Sequence, residues 1–250
     1  SSIDIAEDKS LTLTDAFEVL EDQTMELKGT GSGTLNVGDN ITISGSLKLN
    51  APDDIINGGT LSFNNGSIDL DQDATISSKI FLADNASIDI ASDKQLDVSQ
   101  SFEIPENLKL EMDGTVGGTL SIDDTLTIIG VLLFSASDYS LTNGTLKLNE
   151  NGLLDVDYDT SIASNITISG NSSIDIALGM TLTYSGEEID ISNYQLTLLG
   201  SGTLSNTDSA VLLSNTDSLL VLAGDITIAL IEVKGNSASG KGISVESEDA

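Results

Sequence analysis

Apolar side chains alternate with polar ones along most of this chain, in short runs that are closed by Asp, Asn, Gly or Ser. The segments SIDIAED from Ser2, GTLNVGD from Gly33, NITISG from Asn40 and TLSFNNG from Thr60 show the beat, which is about seven residues long. An apolar, polar, apolar alternation has period two, so one side of each run faces a core and the other faces water; this predicts strands. The Asp, Asn and Gly that close the runs tolerate the backbone angles of tight turns. The helical period of about 3.6 residues fits no long stretch.

A longer repeat lies over the short one. SIDIA occurs at Ser2 to Ala6, at Ser87 to Ala91 and at Ser173 to Ala177, separations of 85 and 86 residues. Gly33-Thr34-Leu35 returns as Gly118-Thr119-Leu120, and Gly59-Thr60-Leu61 as Gly144-Thr145-Leu146. The first long repeat holds twelve short strands. Taken three to a coil, they make four coils of roughly 21 residues, the size of a parallel β-helix turn. The expected fold is therefore all-β, a parallel β-solenoid over residues 1–232, with repeats 2–86, 87–172 and a partial third at 173–232. Residues 233–250, KGNSASGKGISVESEDA with the valine before it, read as a Gly/Ser-rich acidic tail or linker. An 85-residue unit is also close to the size of an immunoglobulin-like sandwich, and a tandem array of those is the alternative. The absence of Trp, the two prolines and the self-similarity inside each repeat weigh against it.

Three strands per coil imply outward columns. One would run Asp4, Glu26, Lys48, Asp69, Asp89, Lys109, Leu133, Asp155, Asp175, with Lys48 and Lys109 beside carboxylates one coil away. Another would run Glu18, Thr42, Ser62, Phe81, Glu103, Thr127, Lys147, Thr167; its mixed chemistry argues against a lattice-matching threonine face of the ice-binding kind. Phe81 and Leu133 break the polar rule, and Val131, Leu219 and Val221 belong to strands apolar on both sides. These five residues are the candidates for a contact with a second copy or a neighbouring domain. The first run starts in repeat register with no cap-like segment, so its strand edges are expected to stack on another chain or on preceding sequence.

Composition narrows the chemistry. The chain has no Cys, His, Trp or Arg, and its 9 basic residues, all Lys, face 40 acidic ones for a net charge of −31. Phosphate contacts need cationic side chains, so a nucleic-acid partner is not expected, and neither is docking on anionic lipid. No apolar run approaches the roughly 18 residues that span a bilayer as a helix. Without His the commonest general base near neutral pH is missing. No cofactor is expected, and catalysis is not. Carboxylates cluster at Asp53-Asp54, Asp123-Asp124 and Glu187-Glu188, and again at Asp155, Asp157 and Asp159, the candidate oxygen ligands for Ca²⁺. The plainer reading is solvated turns. Six Asn-x-Ser/Thr triplets start at Asn40, Asn65, Asn85, Asn143, Asn165 and Asn171 and are acceptors for surface glycans where the source glycosylates.

The Gly-Thr-Leu-x-aliphatic units at Gly33 to Val37, Gly59 to Phe63, Gly118 to Ile122 and Gly144 to Leu148 resemble the β-helical passengers of bacterial autotransporters and filamentous-haemagglutinin-like adhesins. The likeness covers nearly all of residues 1–232. It implies secretion, a rod-like passenger and a role at the cell surface, as a filament or sheath subunit or an adhesin stalk without catalysis. Self-association, or neighbouring domains of a longer chain, and surface glycans are the partners it implies. The alternatives are a glycan-binding solenoid and a polysaccharide-active β-helix enzyme. The first should show an aromatic platform on one face, and the second a cleft with converging carboxylates.

Overall fold

The computed structural model describes residues 2–114, 116–206, 210–229, 232–235 and 242–246. Among these residues it is all-β, with 34 strands and no helix. Every paired strand is parallel to the strand three places away in sequence, which is the consequence of three strands per turn: the chain coils, and coil n lies on coil n − 1. One turn takes about 22 residues, close to the roughly 21 expected. The first face is a sheet of 12 strands from Ser2–Asp4 to Gly242–Glu246, and the second a sheet of 11 from Ser10–Leu13 to Thr227–Ala229. The third face is divided into a sheet of four, from Phe17–Val19 to Lys79–Leu82, and a sheet of seven, from Phe102–Ile104 to Glu232–Gly235.

Alternation does the folding work that was expected of it. Strand after strand is half-buried, buried, half-buried, buried, and the inward residues pile into columns such as Leu35, Ile56, Ile76, Val98 and Ile122. All five of these are fully or almost fully buried. Each such aliphatic side chain withdrawn from water contributes about 1.5–3 kcal/mol, and the stack supplies one after another along its length. Corners are turned by Asp and Asn in the left-handed region, where their side chains are tolerated. Asp8, Asp22, Asp93 and Asn107 have φ of 58°, 60°, 60° and 64°, and each sits third in a turn closed by a backbone bond such as Lys9 N–H to Ala6 C=O.

Three steps of the first outward column depart from the expected register. Asp4 lies opposite Lys28, not Glu26, and Asp89 lies opposite Asp113, not Lys109. Lys109 instead pairs with Val131, and Leu133 follows Glu111. The displacements are of two, four and two residues, and being even they keep every inward side chain inward. Alternation is blind to such a slip. The second is held by tertiary contacts: the buried Tyr139 hydroxyl donates to the Asp113 and Ile88 carbonyls and accepts from Ile90 N–H at 3.0 Å. Gly114, at φ 119°, lies so close that a Cβ there would sit 2.3 Å from the Asp89 carboxylate. The remaining steps, Glu26 to Lys48 to Asp69 to Asp89 and Leu133 to Asp155 to Asp175, are as expected.

Past residue 232 the ladders continue. Glu232–Gly235 pairs with Ala210–Leu213, and Gly242–Glu246 with Leu219–Ala223, so part of the segment read as a tail carries strands; its other residues lie outside those described.

Candidate functional site

The first face carries the acidic ladder. Lys48 reaches Asp69 at 2.9 Å and Asp71 at 2.7 Å, both one coil onward, and these hydrogen bonds raise the pKa of its ammonium. Lys109 spends its charge within its own strand, on Glu111 at 2.6 Å, and so holds that carboxyl below its ordinary pKa. Asp89 and Asp113 face each other with no lysine between them. Burial pushes the pKa of each upward, and the charge of neighbouring carboxylates adds to the push.

The calcium candidates are spread around a corner. Asp155 is half-buried in the first face between Leu133 and Asp175, and burial, followed by the charges of Asp157 and Asp175, raises its pKa to about 6. Asp157 and Asp159 are exposed, and Asp159 caps the next coil by accepting Thr181 N–H at 2.7 Å. Among the described residues no group of three or more carboxylates is close enough to hold a metal ion.

The apolar exceptions divide in two. On the first face Val131 and Leu133 are half-buried, side by side with Leu153, which pairs with Val131. Leu219 is half-buried and Val221 is buried, although Val221 lies in an outward column opposite Thr197. Phe81 is different: it is 49% exposed, on the third face. The third-face column is as expected, with Glu18, Thr42, Ser62 and Phe81 paired in turn, and then Glu103, Thr127, Lys147 and Thr167. Between Phe81 and Glu103 the backbone pairing stops, and the sheet resumes one coil later. A cleft of about 370 Å³ lies at this break, lined by Phe81, Phe102, Pro105, Lys79, Glu103 and Thr127 among others.

No family model, curated protein or solved structure matches the chain. The site must therefore be read from its own residues. Tyr139 and Tyr184 are inside the stack, Tyr194 is half-buried against the core and Tyr158 is on a turn, so the tyrosines form no platform. The exposed aromatic ring at a cleft is Phe81. Phe81 stands out in the sequence as an apolar residue in an outward position, but nothing in the run KIFL signals a lost backbone pairing, so a cleft here was not legible.

Proposed function

We propose that this protein is an extracellular structural rod: a filament or sheath subunit or an adhesin stalk, exposed at a cell surface and without catalysis. The observation that carries the reading is the unbroken first-face ladder, in which twelve strands follow one another in parallel from Ser2 to Glu246. At about 4.8 Å per coil such a ladder is roughly 50 Å long and stiff along its axis, which suits a spacer or a subunit that is added end to end. The surface charge suits an exposed rod, because a net charge of −31 keeps it solvated. The half-buried patch of Val131, Leu133 and Leu153 offers lateral contact with a second copy or a neighbouring domain.

An antibody against the purified chain, applied to intact source cells, tests this reading. Labelling of intact cells, with rods or polymers of them in electron micrographs of the shed material, is the expected result. Labelling that appears only after permeabilisation overturns it. A second reading, a solenoid that holds glycans, is favoured by one feature, the Phe81 cleft.

A further inference from the structure

The cleft on the third face combines three properties found together nowhere else among the described clefts. It lies where the ladder is interrupted: Lys79–Leu82 has a strand partner on one side, Phe102–Ile104 has one on the other, and the two do not pair with each other. It exposes an aromatic ring, Phe81, in a column whose neighbours are Ser62 before the break and Glu103 and Thr127 after it. Its polar heads are uncommitted, since neither Lys79 nor Glu103 takes part in any of the ion pairs that engage Lys48, Lys109 and Lys234.

These properties select a ligand. A cleft of about 370 Å³ falls in the range of small-molecule sites, about 300–1,000 Å³, in which apolar and aromatic walls bury the ligand and a few polar groups orient it. The lining holds one Lys and one Glu, which leaves it close to neutral on a molecule of net charge −31. Cations are drawn more strongly to the carboxylates of the first face, and anions are repelled by the molecule as a whole. The occupant is then an uncharged molecule with one apolar face to lie on the Phe81 ring and a rim of groups that both donate and accept. Glu103 accepts, Lys79 donates, and the Ser101 and Thr127 hydroxyls do either. A pyranose ring has this form: its axial C–H groups make an apolar face that suits the electron-rich face of an aromatic ring, and its hydroxyls point outward.

We infer that the break between Lys79–Leu82 and Phe102–Ile104 is a binding site for a neutral sugar unit, with Phe81 as its stacking platform and Lys79 and Glu103 as its orienting groups. The site makes the rod a carrier of glycan contacts as well as a spacer. It stands apart from the rod reading, which survives if no sugar binds.

The test is titration calorimetry of the full chain against maltotriose, cellotriose, mannotriose and chitotriose. Saturable binding of at least one, unchanged at high salt, is expected. Phe81→Ala should weaken it by at least about tenfold, and Glu103→Gln several-fold, while Thr167→Ala, four coils away on the same face, should leave it unchanged. Phe81 is outward and exposed, so unfolding curves of the variant should match those of the parent and keep the result interpretable. The proposal is overturned if none of the four sugars binds, or if binding survives Phe81→Ala. It is also overturned if Phe81→Ala dissolves a concentration-dependent dimer that sugars do not affect, which would assign the cleft to a second copy of the chain.

Discussion

Asp54 shows how a single buried carboxylate is handled by this fold. It is 3% exposed and takes an inward position beside Ala74, where backbone groups of Gly33 and Ala51 hydrogen-bond it and its Oδ2 has no partner. Burial raises its pKa to about 6. The folded value is above the unfolded one of about 3.9, so the folded state binds the proton more tightly. Stability from this group is complete below the unfolded value and is lost as pH rises through about 6. Asp54→Asn should therefore stabilise the protein by roughly 2 kcal/mol at pH 7 and by almost nothing at pH 4, as read from urea unfolding at the two pH values. A second orphan tells a similar story without charge. Ser172 is buried with an unpartnered hydroxyl, and its equivalent one repeat earlier is Ala86, buried to the same degree. Ser172→Ala should raise stability by about 1 kcal/mol in the same assay, because the desolvation of the hydroxyl is relieved and the methyl already fits this position. An unchanged or lower midpoint would show that the hydroxyl has a partner.

At the scale of elements, the coil-to-coil register is what the inward polar groups protect. Position 54 of the first long repeat corresponds to position 139 of the second, and the preceding Asp53 and Asp138 share the left-handed conformation with φ of 56° and 64°. Where the first repeat has a carboxylate, the second has Tyr139, whose hydroxyl binds three backbone groups across two coils. A Cβ on Gly117 would lie 2.4 Å from the Tyr139 ring, so that glycine lets the ring enter. Tyr139→Phe keeps the ring but leaves the buried Ile90 N–H, and the carbonyls opposite it, without their partner. The expected cost is about 2 kcal/mol, with faster amide exchange at Ile90 than in the parent. An exchange rate at Ile90 equal to the parent's would mean that the hydroxyl does not hold the slipped register. Tyr184, which accepts from Ile166 N–H at 3.2 Å, plays a lesser part of the same kind.

At the scale of the whole molecule, the three faces have separate characters. The first concentrates carboxylates and two apolar patches, and the second is lined outward by hydroxyl and amide side chains such as Thr34, Asn36, Thr183 and Thr203. The third is interrupted at the junction of the first two long repeats, and at the next junction Asn165–Ile168 meets Ile189–Asp190 through the single pair Thr167 and Asp190. Both junctions thus thin the pairing on one face while the first face stays continuous. Continuity on one face is sufficient to transmit the stack, and a gap on another is where a cleft can open without severing the rod.

Alternation and turn residues determined the all-β class and most of the inward residues, and the self-similarity inside each 85- to 86-residue repeat favoured three strands per coil over a sandwich, because a period of two buries one side of every short run. The outward pairings were legible wherever coil lengths were regular, as from Lys48 to Asp69 and from Thr127 to Lys147. Only the tertiary structure decided the slips of two residues at Lys28 and four at Asp113, because an even slip leaves the alternation intact and the choice rests on contacts such as that of Tyr139. Only it decided that Asp54 points inward, since the Asp53-Asp54 pair before Ile55-Ile56 reads as turn residues. The Phe81 cleft belongs to the same class: it comes from a backbone pairing that fails between two strands, and a failure between coils has no signature within either strand.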